Sequence, residues 1–181
     1  MVRISVGTAL IAALLLPNGG SAQEDDHEWL EHCRERRGRD LVRVCDVRVE
    51  RFSPPSGAIR VDPGSNGGVA VEGWSQNQIE VHARIEARAE TEREARELAS
   101  RVSIETDGTI RADGPRNERD ANWHVSFVVY VPARSDLDLT TQNGPLSVKG
   151  VRGRMQLASQ NGPISLREVG GEVQARAQNG P

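Results

Sequence analysis

From residue 41 onward, apolar side chains alternate with polar ones in short runs broken by Gly, Pro, Asn and Asp, the pattern of β-strands that bury one face. Val42, Val44, Val47 and Val49 open the pattern. Ile59 and Val61 begin a second strand after Ser53-Pro54-Pro55-Ser56-Gly57, and Val69-Ala70-Val71 follows the turn Asn66-Gly67-Gly68. The longest alternation puts Ile79, Val81, Ala83, Ile85 and Ala87 on one face and Glu80, His82, Arg84, Glu86 and Arg88 on the other, which predicts a solvent-facing outer side. Further on, Trp123, Val125, Phe127, Val129 and Val131 share a face whose reverse carries Val128 and Tyr130, so this strand is expected to be buried on both sides.

The period becomes helical once within this region. Thr91 and Glu94 have the spacing of a capping box, and Ala95, Leu98, Ala99 and Val102 follow at i, i+3, i+4 and i+7. One helix lying across a sheet is predicted. Asp107-Gly108 then marks a hairpin between strands at Ile104 and Ile110.

Beyond Pro132 a longer period takes over. Gln-Asn-Gly-Pro occurs at Gln142–Pro145, Gln160–Pro163 and Gln178–Pro181, each start 18 residues after the last. Leu146, Val148, Val151 and Met155 recur one period later as Ile164, Leu166, Val169 and Val173, and Leu137 and Leu139 precede Met155 and Leu157 by the same step. Such repeats describe strands that bury one another's faces rung upon rung. Three six-residue sides would also make an 18-residue turn, but six-residue steps from Val148 meet Arg154 and Gln160, so two unequal sides per turn fit better. Asn-Gly favours positive φ, while the following Pro holds that Gly extended and donates no ladder hydrogen bond, so the motif predicts a corner. The corners are Asn143-Gly144, Asn161-Gly162 and Asn179-Gly180, and stacked in register their asparagines would form an amide ladder. The fold class is therefore mainly β, a β-solenoid-like stack of short strands with 18-residue C-terminal repeats and one packed α-helix.

Composition then fixes the setting. Met1–Ala22 combines a basic start at Arg3, an apolar run from Ala9 to Leu16, Pro17 and small residues at Gly20 and Ala22, which predicts a secretory signal peptide cut after Ala22. The apolar run is shorter than the roughly 20 residues of a membrane span. Removal of Arg3 leaves 22 basic against 26 acidic residues, a balance that recommends no nucleic-acid partner. Residues 23–40 are dense in charge of both signs and read as a solvated leader or linker, and residues 41–181 form the β-repeat domain. The last repeat stops at Gln178-Asn179-Gly180-Pro181, where another strand is due. The domain therefore reads as truncated there, with edge-to-edge self-association as the alternative.

Cys33 and Cys45 are the two cysteines, and in an exported chain their preferred reading is a disulfide. It would close a loop of 13 residues, worth about 3 kcal/mol in the chain-entropy account. The rival reading, a metal site of His27, His32, Cys33 and Cys45, is weaker because the spacing matches no standard zinc site.

The passage Gly64 to Trp74, the strand–helix–strand after it, Val129-Tyr130-Val131-Pro132 and the Asn-Gly repeats together resemble the bacterial β-strand-repeat adhesin family, similar to the auto-transporter adhesin head domain known as GIN. The resemblance covers roughly Cys45 to Pro181. It implies an exported, solenoid-like fold with no established enzymatic activity, and it supplies no catalytic residue.

The residues themselves declare no triad, calcium loop or phosphate loop. His82 and His124 read as structural, and Asp136 with Asp138 as a solubilising pair. Trp74, at a corner after Gly73, is the one candidate ligand contact, since an exposed indole stacks on sugar rings; its structural alternative is to cover the end of the apolar stack. No catalytic, cofactor-binding or metal residue is assigned. The leading expectation is a non-enzymatic envelope module, periplasmic or at the cell surface, contacting an envelope protein or surface glycan. The alternatives are a carbohydrate-binding or carbohydrate-processing protein, and a sensing domain that pairs with a membrane partner.

Overall fold

The 18-residue period becomes hydrogen-bonded register in the computed structural model of the protein, which describes residues 20–36 and 41–180. In chain order the elements are α1 (Gly20–Glu35), β1 (Val42–Phe52), β2 (Ile59–Asp62), β3 (Val69–Trp74), β4 (Ile79–Ala89), α2 (Glu92–Ser100), β5 (Ser103–Glu105), β6 (Thr109–Asp113), β7 (Asn122–Pro132), β8 (Leu137–Asn143), β9 (Leu146–Lys149), β10 (Met155–Asn161), β11 (Ile164–Arg167) and β12 (Val173–Ala177). The predicted signal peptide lies outside the described residues except for its last three, which open α1.

Two six-stranded sheets result. The first runs β1-β4-β7-β3-β9-β11 and the second β12-β10-β8-β2-β6-β5. Consecutive short strands alternate between them. β8 and β10 pair in parallel with Leu137 opposite Met155, β10 and β12 with Met155 opposite Val173, and β9 and β11 with Leu146 opposite Ile164, each one period apart. The rung below β8–β9 is not its sequence neighbour. It is β2–β3, with Ile59 opposite Leu137 and Val69 opposite Leu146, and below that lies β6–β7. The antiparallel strands β1, β4 and β5 flank the parallel stack.

The inward faces of both sheets share one core, in which Val71, Leu137, Leu139, Leu146, Val148 and Met155 are buried. Each aliphatic side chain so covered contributes about 1.5 to 3 kcal/mol. At α2, Thr91 Oγ1 accepts from Glu94 N at 3.3 Å and Glu94 Oε2 from Thr91 N at 3.2 Å, the reciprocal cap expected of that pair. Ala95, Leu98 and Ala99 are buried against β4 and β1. Arg48 of β1 donates to the carbonyls of Ala99, at 2.7 Å, and Val102, partnering groups that a helix end leaves open.

Two expectations are overturned. The stretch expected to be a solvated leader carries helix α1, in which Asp26, Trp29, Leu30 and Cys33 recur at helical spacing; Asp26 and Cys33 are buried and the other two half-buried. A charged segment can dock because its buried face meets opposite charges rather than a hydrocarbon surface. For the same reason the outer face of β4 is not wet. Glu80, His82 and Glu86 are buried, because α1 and side chains of β1 close over them.

Candidate functional site

α1 is fastened to the outer face of the first sheet by buried charge. Asp26 Oδ1 accepts from Arg84 Nε at 2.9 Å, and Asp26 Oδ2 bonds His82 Nδ1. His82 Nε2 reaches Glu80 Oε1 at 2.7 Å, and Glu80 Oε2 accepts from Arg51 Nε at 2.6 Å. Both nitrogens of the imidazole thus face carboxylate oxygens. Glu86, 1% exposed, accepts from Arg88 Nε at 2.7 Å and Arg36 Nη2 at 3.2 Å, with Arg43 Nε 2.6 Å away.

Burial is the largest single influence on Glu80 and on Glu86, and alone it would raise both. For Glu80 the hydrogen bonds from His82 and Arg51 outweigh it, and for Glu86 the hydrogen bond from Arg88 with the charges of His124, Arg88 and Arg43 does so. Both carboxyls end below the ordinary carboxylate value. Burial pushes His124 down, against the pull of Glu86. The Tyr130 hydroxyl, beneath this cluster, is pushed up to about 12 by burial and then by Glu72, Asp25 and Asp26. The bonds of this cluster run between α1, β1 and β4, so it clamps the helix to the sheet.

Beside the clamp lies an open trough of about 620 Å³. One wall is a single face of α1, with Asp25, Glu28, Trp29 and His32 at i, i+3, i+4 and i+7. The floor is two cross-strand rows. In one, Val128 of β7 stands opposite Ala70 of β3, Ala70 opposite Ser147 of β9, and Ser147 opposite Ser165 of β11. In the next, Tyr130, Glu72, Lys149 and Arg167 follow in the same order. Small side chains in the first row keep the floor low, and charged ones line its side. Lys149 Nζ donates to Glu72 Oε1, and the Arg84 guanidinium sits 5.8 Å from the centre of the Trp29 ring.

The residues singled out in the sequence are placed as follows. Cys33 and Cys45 form a disulfide that ties the end of α1 to β1, with Cα atoms 6.3 Å apart. Its formation removes both thiolates from the rival metal set. His27 lies 3.7 Å from Glu31, and His32 Nδ1 lies 2.9 Å from the Glu28 carbonyl. Among the described residues no cluster of three or more His, Cys, Asp or Glu is arranged to hold a metal.

The corner asparagines form a ladder. Asn179 Nδ2 donates to Asn161 Oδ1 at 2.9 Å, Asn161 Nδ2 to Asn143 Oδ1 at 2.8 Å, and Asn143 Nδ2 to the Ser65 carbonyl at 2.7 Å. The glycines beside them are needed for closeness, not for positive φ. A Cβ on Gly144 would lie 2.2 Å from the Gly67 carbonyl oxygen, and one on Gly162 2.2 Å from that of Gly144.

Trp74 is half-buried, donates its Nε1 proton to the Gln78 carbonyl at 2.8 Å and lies 5.6 Å from the Tyr130 ring. The indole that lines the trough is Trp29 instead. Asp136 Oδ1 accepts from Arg154 N at 2.7 Å, and Asp138 lies 3.6 Å from Arg60, so neither acid stands free. The trough itself escaped the sequence reading. Its signal was present in Ser147 and Lys149, which recur one period later as Ser165 and Arg167.

No family model matches the chain, that of the GIN domain included, and no curated protein matches it. Two crystal structures are similar over part of it. A "putative cell adhesion protein" from Clostridium sporogenes shares 7% identity over 76% of this chain and 100% of its own, with a TM-score of 0.27. A "putative adhesin" from Parabacteroides distasonis shares 8% over 75% of this chain and 68% of its own, with a TM-score of 0.30. At those scores neither likeness carries an argument about fold or function.

Proposed function

We propose that this protein is an exported, non-enzymatic, adhesin-like module, a β-solenoid that holds its ligand in the trough beside α1. The observation that carries this reading is the trough. It is walled by one helix face and floored by side chains from three successive rungs and β7, while the buried acids and imidazole nearby are held in side-chain bonds under α1. The solenoid reading is supported by parallel pairing at an 18-residue register and by consecutive strands that alternate between two sheets. Export is supported by the secretory pattern of Met1–Ala22 and by the disulfide, which persists in oxidising compartments. The ligand is an envelope protein or a surface glycan.

The test is adhesion of the labelled exported chain to isolated bacterial envelopes. Ser165→Trp, which fills the trough, is expected to abolish adhesion. Arg176→Ala, on the second sheet, is expected to leave it intact. Equal adhesion by the two variants would remove the trough from the mechanism.

A further inference from the structure

The 18-residue period repeats the floor of the trough as well as the core. Ser147 and Ser165 hold the same register position on β9 and β11, as do Lys149 and Arg167. Neighbouring rungs are about 4.8 Å apart. A chain molecule lying across the strands therefore meets a hydroxyl and a cation at that interval. The trough runs in this direction, from α1 over β7, β3 and β9 to β11. The distance from β7 to β11 is three strand spacings, or about 14 Å.

We propose that the trough binds a linear acidic polysaccharide laid along the stacking axis, its rings on the shelf of Ala70, Ser147 and Ser165 and a carboxylate between Lys149 and Arg167. The proposal rests on the reading of the trough as the ligand surface, and it names the ligand. In an extended, equatorially linked glycan alternate units turn over, so one carboxylate in two faces the row of Lys149 and Arg167, and these two cations, one rung apart on adjacent strands, flank it together. Low floor residues leave room for a ring, the serines offer donors and acceptors to its hydroxyls, and Trp29 supplies an aromatic surface at the α1 end.

The charges place the acid groups. Lys149 shares its ammonium with Glu72, whereas Arg167 has no carboxylate partner among the described residues. Asp25 and Glu28 on α1 and Glu72 on β3 repel anions from the other end. The carboxylates therefore gather at the β9–β11 half, where a guanidinium binds a planar carboxylate through two donors.

The experiment is calorimetric titration of the exported chain with a β-1,4-linked hexaglucuronate, with neutral cellohexaose and with poly-L-glutamate of matched charge. Hexaglucuronate is expected to bind, to weaken about ten-fold in Arg167→Ala and as salt rises, to weaken less in Arg167→Lys, which keeps the charge but not the paired donors, and to hold in Arg176→Ala. Cellohexaose binding as tightly overturns the role of the acid groups, and poly-L-glutamate binding as tightly overturns the saccharide. If hexaglucuronate does not bind, the ligand class is wrong. Envelope adhesion that Ser165→Trp still abolishes would then leave the trough standing without that ligand, and adhesion that the variant leaves unchanged would remove both.

Discussion

Asp26 and His82 bond side chain to side chain although 56 residues separate them, and that bond joins the first described helix to the middle of the first sheet. Asp26 also accepts from Arg84, so one carboxylate serves two side chains of β4. Asp26→Ala leaves both without it. Breaking a buried pair from one side costs about 3 to 5 kcal/mol, because the partner stays buried and uncompensated. The expected result is a lower denaturant midpoint together with faster amide exchange through α1. An unchanged midpoint would mean that α1 is not fastened by this carboxylate.

The disulfide fastens the same helix at its other end. Replacing Cys33 and Cys45 together by Ser is expected to cost about 3 kcal/mol through the freed loop, and to loosen the α1 wall while the repeat core stays folded. Far-ultraviolet circular dichroism should keep its β signal, and exchange should quicken in α1 and not in β8 to β10. Uniform loss of protection over the whole chain would show instead that the clamp and the core unfold as one unit.

Acid should act on the clamp in two windows. Glu80 and Glu86 have folded pKa values below the ordinary 4.5, so the stability they contribute is fully present above that pH and is lost as pH falls through the lowered values. His124 is depressed below 6.5, so the unfolded chain takes up its proton first, and stability begins to fall as pH drops below 6.5. Thermal midpoints measured across pH 3 to 8 should therefore decline gently at first and steeply later. His124→Gln should remove the upper decline alone, and Glu86→Gln should shallow the lower one while reducing stability at neutral pH. A flat profile in the upper window would show that His124 titrates alike in both states.

What could be read beforehand and what could not divide along a physical line. The repeats were readable because each rung repeats one local pattern, so that Leu137, Met155 and Val173 announce their own alignment. The capping box at Thr91 is local too. The place of β2–β3 under β8–β9 was not readable, since the strands between them in sequence double back through an antiparallel pair and a helix, and the shared Asn-Gly of Asn66 and Asn143 was the sole trace. Likewise Glu80, His82 and Glu86 alternate like solvent-facing residues, because period alone cannot tell water from a charged helix as the covering layer.

The corners offer the sharpest separation of two causes. Gly162→Ala would bring a methyl group to 2.2 Å from the Gly144 carbonyl oxygen, and the nearest atoms, of Gly144 and Pro145, are all backbone, which leaves no flexible side chain to yield. The two rungs must part, at a cost of about 1 to 3 kcal/mol. Asn161→Ala removes one rung of the amide ladder, a donor to Asn143 and an acceptor from Asn179, but the ladder is exposed and water replaces both bonds. Its cost should be smaller, about 0.5 to 1.5 kcal/mol. Urea midpoints of the two variants should therefore rank Gly162→Ala well below Asn161→Ala. The reverse order would mean that the asparagine bonds, and not the close approach of successive backbones, hold the corners together.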